Sequence, residues 1–266
     1  MMRPKFEAIL LTQRRQRHIR IAQVMGVVVV VLMAFIAAGF FDFGRLSEGI
    51  PDLIDIIGQM FPPDFSHART WLKPMVDTLA MSIASTALAI ALSLPLALLA
   101  AKTTAPNLLL YQGARVALNI LRAIPELIMG IIFVAAVGFG ILPGVLAVGL
   151  HSIGMVGKFF AESIEHADHS PIEAIQAVGA DQFQVIYHAV LPQVLPQIID
   201  VSLYRWEYNF RASTIMGAVG AGGIGFELIG ALRLLQYEAV GAILIVILAM
   251  VTLVDSLSSV LRRYFT

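Results

Sequence analysis

Residues 21–41 contain no charged side chain and include the run VMGVVVVVLMAFIAAGFF. A helix needs about 20 apolar residues to cross a bilayer core. Inside lipid the backbone must satisfy its own hydrogen bonds, so such a run folds as a helix or does not cross at all. A secretory leader is the rival reading, because basic residues precede the run. Its apolar core, however, exceeds the ~7–15 residues of a leader's hydrophobic region, so an uncleaved span is expected. Five further apolar stretches follow at 78–101, 116–137, 142–160, 194–219 and 239–261. The third carries Arg122, Pro125 and Glu126, the fourth His151 and Lys158, and the last only Asp255. Apolar residues make up 58% of the chain and charged ones 14%, where a soluble domain is about a quarter charged. The expectation is an all-α membrane protein of six transmembrane helices with no sizeable soluble domain.

Lysine and arginine set orientation. Arg3, Lys5, Arg14, Arg15, Arg17 and Arg20 precede the first span, and Arg262 and Arg263 follow the last. Six spans put both ends on one side, so both termini are expected in the cytoplasm. The chain then divides into a basic cytoplasmic N-terminus (1–20), a first span (21–41), a periplasmic loop (42–74) and a membrane domain (75–262) containing a cytoplasmic loop (161–192). The outer loop is acidic, and its DLIDIIGQMF has the spacing of a helix lying along the membrane interface. Zero net charge argues against nucleic acid, and the absence of cysteine removes disulfides and thiolate metal sites.

The loop at 161–192 contains ESIEHADHSPIEAIQAVGADQFQVIYHAVLPQ. Ser170, Pro171 and Glu173 read as a capped helix start, giving a helix over 172–178. Gly179 suits a C-terminal cap. Asp181 can cap a second helix, 182–190, ending before Pro192. His166, Asp168 and His169 have a metal-like look, but their spacing in a polar loop does not make a site. Read blandly, the segment is an ordinary amphipathic connector.

RWEYNFRASTIMGAVGAGGIGFE, from Arg205, puts charges inside an apolar segment and ends in G-x-G-x-x-G. A dinucleotide fingerprint needs a preceding strand and an acid about 20 residues on. Here a helical segment precedes Gly220, and no βαβ unit fits between two spans. No G-x-x-x-x-G-K-[ST] occurs either, so any ATP hydrolysis belongs to another chain. No Ser-His-Asp, paired-carboxylate or H-E-x-x-H arrangement marks an enzyme. On a helix, Ser202, Arg205, Asn209 and Ser213 share one stripe, and Tyr204, Glu207, Arg211 and Thr214 another. Glu207 stands four residues before Arg211, in the favourable order for a pair. Arg122 and Glu126 read as a second structural pair. A charge at bilayer depth costs about 2.5–3.5 kcal/mol, so these groups must face the bundle interior, a cavity or one another. Arg205 has no local acid and is expected to face an aqueous path or a partner subunit. Gly220, Gly222 and Gly223 allow a broken helix with amides open to anions, or simply close packing. His151 is expected in a helix–helix hydrogen bond, and Asp255 near the interface.

The loop resembles that of permease subunits of bacterial ABC importers, in which Glu-Ala-Ala is followed by a glycine six positions after the Glu and then by Leu-Pro. Glu173, Ala174, Gly179, Leu191 and Pro192 fall at those places, while Ile175 and Ala189 depart from the pattern but keep apolar packing. The resemblance covers residue 78 to the C-terminus. LYRWEYNFRASTIMGAVGAGGIGFEL, RAIPELIMGIIFVAAVGFG and LHSIGMVGKFFAESIE resemble the phosphonate-type branch more specifically. This implies a type I ABC importer permease fold with a coupling helix, and a phosphonate or phosphite-like oxyanion as cargo. It also implies a second copy of the chain, two ATPase subunits carrying ATP and magnesium, and a periplasmic or lipid-anchored substrate-binding protein. The chain itself would need no cofactor or metal. Arg205, Asn209, Arg211, Ser213 and the three glycines would then line the path or gate. The competing expectations are a permease for another small anion such as phosphate, an ion-gradient-driven carrier and a non-transporting scaffold.

Overall fold

The computed structural model describes residues 3–265, leaving out the side chains of 3–12, 14, 15 and 46. Those of Arg3, Lys5, Arg14 and Arg15, counted above for orientation, thus lie outside the described residues. The chain divides into two units, 1–58 and 59–266. No strand occurs among the described residues.

The first unit holds α1 (Arg3–Ala37) and most of α2 (Phe43–Gln59). Residues Gln16–Ala37 of α1 are long and apolar enough to cross a membrane. The side chain of Asp42 accepts from the Arg45 amide at 3.3 Å and so caps α2. On α2, Phe43, Ile50, Ile54 and Ile57 share one exposed face, while Glu48, Asp52 and Asp55 share another. The expected amphipathic helix is therefore present.

The second unit is built around α6 (Ile141–Glu165), which packs against α3 (Leu72–Ala100), α4 (Leu108–Ala123), α5 (Glu126–Val137) and α9 (Leu191–Met216). Lipid is as apolar as leucine, so helices in a membrane associate through close packing of small residues and buried hydrogen bonds. The sequence supplies both. The buried stripe of α3 reads Thr78, Ser82, Ser85, Thr86, Ala89, Ser93 and Ala97. α6 answers with glycines: a Cβ on Gly144 would stand 2.6 Å from Met81 Sδ, and one on Gly154 would stand 2.6 Å from the Arg122 amide and 2.7 Å from the Leu118 carbonyl. α4 therefore crosses α6 at backbone contact.

Among the described residues four helices are individually long and apolar enough to span, and the number rises to six if each of two bent pairs is one span. The expected third span at 116–137 is broken: α4 and α5 meet at 86°. Pro125 lacks an amide and pushes the residue before it out of helical conformation, and Ile124 is extended (φ −85°, ψ 121°). The expected fifth span is longer than its apolar stretch. α8 (Gln182–Val185) continues through a π turn (Ile186–Val190) into α9, so Pro192 does not end a helix. The widened turn ends two residues before Pro192, whose ring in a regular α-helix would clash with the carbonyl four residues back. α9 then passes through a 3₁₀ turn (Gly217–Val219) and glycine corner to α10 (Ile224–Arg233), bent by 43°. α11 (Tyr237–Phe265) closes the unit against α9 and α10.

At the corner, a Cβ on Gly225 would overlap the Thr214 carbonyl oxygen. Overpacking of this kind costs about 1–3 kcal/mol. Gly154→Ala and Gly225→Ala should each lower the melting temperature of the detergent-purified chain. Gly113→Ala in α4 meets nothing within 4 Å, so it should leave the midpoint unchanged or raise it. Equal midpoints for all three variants would contradict these close helix contacts.

Candidate functional site

Two places gather the polar residues singled out by the sequence. The first lies where α9 crosses α3 and α6. Arg205, Asn209 and Ser213 are all buried, on successive turns of α9. Asn209 Nδ2 donates to Thr86 Oγ1 at 2.9 Å, and its Oδ1 accepts from Ser152 Oγ at 2.8 Å. Arg205 Nε donates to the same Ser152 hydroxyl at 2.9 Å. Thr86 Oγ1 in turn donates to the Ser82 carbonyl, and Trp206 donates to Ser82 Oγ at 3.3 Å. Three helices are thus joined through one amide side chain. Ser213 closes back on the Asn209 carbonyl at 2.7 Å.

Arg205 is 5% exposed within this single chain. It lies over the Tyr208 ring at 4.1 Å, a cation–π contact that replaces part of its lost hydration. Tyr208 donates to Glu126 Oε1 at 3.2 Å. Two atoms of this cluster, Arg205 Nη2 and Glu126 Oε2, are buried without a hydrogen-bond partner among the described residues.

The two expected ion pairs do not form. Arg211 bonds Asp255 of α11 at 3.1 Å, and Glu207 accepts from Arg262 at 3.1 Å. Arg262 also lies 3.2 Å from Asp200. α9 and α11 run in opposite directions along this seam, so each charge finds a partner across it rather than along its own helix. Asp255 is accordingly a pairing residue. Arg122 and Glu126 are separated by the bend at Pro125, which removes the i,i+4 geometry and sends Glu126 to Tyr208. His151 makes the expected helix–helix bond: Nδ1 donates to the Ile124 carbonyl at 3.1 Å, filling an acceptor stranded by the same break.

The glycine corner has the positive φ that its composition calls for, at Gly220 (93°), Gly222 (77°) and Gly223 (75°). The amide of Ile224, at the start of α10, is not open. It donates to Thr78 Oγ1 at 2.9 Å.

The second place is the loop after α6. α7 (His169–Ala177) begins earlier than expected, and its cap is Asp168, not Ser170. Asp168 accepts from the Ser170 amide at 3.0 Å, and this bond, with one from the Ser170 hydroxyl, holds its carboxyl below the usual range. Pro171 falls within the first turn, where its missing amide costs nothing. Gly179 turns the chain at φ 87°, and its amide donates to the Gln176 carbonyl at 2.9 Å. Asp181 caps α8 as expected, in a reciprocal box with Gln184. Glu173 and Ala174 are exposed, Leu191 is half-buried and Pro192 is exposed.

Residues the sequence does not single out tie this loop down. The Asp168 amide donates to Gln193 at 2.9 Å, and Gln182 Nε2 donates to the Thr104 carbonyl at 2.9 Å. Glu165, at the end of α6, accepts from Arg115 through both oxygens at 2.9 Å and from the Lys102 amide at 2.9 Å. The Asp-His-Ser-Pro order was a usable cap signal. The Gln182–Thr104 contact leaves none, because neither residue belongs to a pattern.

The seam predicts a charge-swap result. The Arg211–Asp255 pair is about 40% exposed on each side, so either neutral variant should cost no more than about 1 kcal/mol. Arg211→Asp should lower membrane abundance, and adding Asp255→Arg should restore it. Restoration by Glu207→Arg instead would reinstate the intrahelical pair and contradict the seam. Asn209→Ala, which removes one bond from each of two buried hydroxyls, should cost about 1–3 kcal/mol, read as a lower thermal midpoint.

Residues 93–266 match the family model described as "binding-protein-dependent transport system inner membrane component". The chain is 62% identical over 246 residues to the phosphite transport system permease protein PtxC of Stutzerimonas stutzeri, covering 92% of this chain and 90% of that one. It is 39% identical to that organism's putative phosphite transport system permease protein HtxC, covering 94% and 87%. Among solved structures, an inward-facing MetNI methionine ABC transporter superposes with a TM-score of 0.65 at 22% identity, covering 76% of this chain and 99% of that one. That likeness establishes the fold as one of ABC importer permeases. The chain therefore belongs to the family of binding-protein-dependent transport system inner membrane components, multi-pass inner-membrane permeases whose membership implies ATPase and substrate-binding partners.

Proposed function

We propose that two copies of this chain form the membrane path of an ATP-driven importer for phosphite or phosphonate. Two ATPase subunits hold ATP and magnesium on the cytoplasmic side, and a binding protein delivers the anion from outside. The cargo class is carried by one observation, the 62% identity over 92% of the chain to a phosphite transport permease. The basic ends support a cytoplasmic location for both termini, which puts α7 and α8 on the same side and the 42–74 loop in the periplasm.

In this reading Glu173, Ala174, Gly179, Leu191 and Pro192 belong to the coupling loop. Val178 and Phe183 flank the Gly179 corner and are 83% and 84% exposed. Large apolar side chains left in water on a short helix pair suit a docking face for another protein. The bonds from Gln182 to Thr104 and from Asp168 to Gln193 would carry motion of α7 into the α3–α4 link and α9. Arg205, Asn209, Arg211, Ser213, Gly220, Gly222 and Gly223 are assigned to the path. Arg205 brings an unpartnered N–H of a forked donor set, which suits an anion with several acceptor oxygens once the bundle opens.

Reconstitution with the ATPase and binding protein in proteoliposomes tests the reading. ATP should drive phosphite or methylphosphonate uptake, with inorganic phosphate carried less well. Uptake on a proton or sodium gradient without ATP would contradict it. Gly179 supplies the accompanying variant series. A Cβ there meets nothing within 4 Å, so the only strain is its left-handed backbone, which costs a non-glycine residue about 1–2 kcal/mol. Gly179→Val should reach the membrane yet lose most uptake per ATP hydrolysed. Gly179→Asn, whose side chain tolerates this conformation, should keep most of it. Full coupling in the valine variant would remove the loop from the mechanism.

A further inference from the structure

Arg122 remains without a role in the path or the coupling loop. It sits near the end of α4, half-buried, with no ion pair or hydrogen bond from its guanidinium among the described residues. The expected partner, Glu126, has been turned away by the bend at Pro125 and bonds Tyr208. Arg115, Asn119 and Arg122 recur at four- and three-residue spacing and share one face of α4. That face meets α6 where Lys158 and Glu162 stand one turn apart, and the five side chains line a single cavity of ≈ 240 Å³. A water's share of liquid volume is about 30 Å³, so the cavity has room for a small anion and several waters.

The charges in it do not cancel. Arg115 is held by both oxygens of Glu165, and Lys158 lies 3.4 Å from Glu162. Three cations therefore face two carboxylates, and the surplus resides on Arg122. The cavity is also built on close helix contact. Gly154 lies against the Arg122 and Leu118 backbones, and Gly157 against the Leu118 side chain. This holds the arginine face of α4 on α6 beside Lys158. A cationic pair on two crossed helices, with a neighbouring amide side chain, suits an oxyanion that offers several acceptor oxygens, as a tetrahedral phosphorus oxyanion does.

We propose that the α4–α6 cavity is an oxyanion site, held by Arg122 and Lys158 with Asn119 as a neutral donor, at the end of the bundle that carries α7. The oxyanion is either free phosphite-type anion or the phosphate headgroup of an anionic phospholipid. The same side chains serve both. The proposal stands on the cavity's own charges and not on the identity of the transported anion. Because Arg115 bridges the cavity to Glu165, occupancy would bear on the residue from which the loop to α7 departs.

The test uses the full-length chain in nanodiscs, with wild type, Arg122→Gln, Lys158→Gln and Arg122→Lys compared at matched thermal midpoints. In one arm the lipid is phosphatidylcholine alone, and binding of inorganic phosphite is measured by calorimetry. In the other, phosphatidylglycerol is mixed in, and its retention is read by native mass spectrometry. A free-oxyanion site predicts phosphite binding weakened about tenfold or more in both glutamine variants and largely kept by Arg122→Lys. A headgroup site predicts no phosphite binding but the same pattern in lipid retention. Wild-type affinity and wild-type lipid retention in both glutamine variants would overturn the proposal, as would a wild type that holds neither probe. Should Arg122→Gln fail to fold, Lys158→Gln alone decides between these outcomes. Failure of ATP-driven phosphite uptake would leave both arms readable, so the site and the transport reading fall separately.

Discussion

A polar side chain at bilayer depth has no water to fall back on, and the second unit is organised by that constraint. α9 carries Arg205, Asn209 and Ser213 through the middle of the bundle, and each is buried. Their bonds reach Thr86 on α3 and Ser152 on α6, so the helices that must meet are the ones that hold matching donors and acceptors. Small residues do the rest. The hydroxyls of α3 and the glycines of α6 bring the backbones close enough for short side chains to touch. The charged residues that cannot enter this core are sent to the seam between α9 and α11, where Glu207, Arg211, Asp255, Asp200 and Arg262 pair across helices.

Backbone breaks give the bundle its shape. Pro125 bends one apolar stretch by 86°, and the glycines from Gly217 to Gly225 bend another by 43°. Both breaks leave backbone polar groups without helical partners, and both are met by side chains from other helices: His151 at the Ile124 carbonyl and Thr78 at the Ile224 amide. Pro192 shows the opposite outcome. A π turn before it absorbs the ring, and the helix continues.

Six apolar stretches, an all-helical fold and a polar stripe on α9 were legible in the sequence because each rests on a local count: charge-free length, or spacing of three and four. The corner at Gly179 and the Asp181 cap were legible for the same reason. Partners were not. Glu207 and Arg211 have ideal intrahelical spacing, yet their actual partners are 55 and 44 residues away, and nothing in a single helix encodes that. Arg205 was expected to face an aqueous path or a partner subunit because it lacks a nearby acid. The structure buries it on a tyrosine ring and a serine hydroxyl, which spacing rules for charge pairs do not consider. The Ser170 cap failed more narrowly: Asp168, two residues earlier, is the better acceptor.

The proposed coupling requires α7 to move as one body with the helices it is tied to. Spin labels measure this most directly, because the sequence has no native cysteine to interfere. Labels at the exposed positions Thr103 and Ala177 report within one chain when labelled copies are diluted with unlabelled ones. Labels at Ala177 alone report between the copies of the proposed dimer. On trapping the assembled importer with ATP and vanadate, the distance within a chain should stay the same while the distance between copies shifts. A changed distance within the chain, with an unchanged distance between copies, would mean that the loop flexes by itself and that ATP-driven motion does not reach the bundle through it.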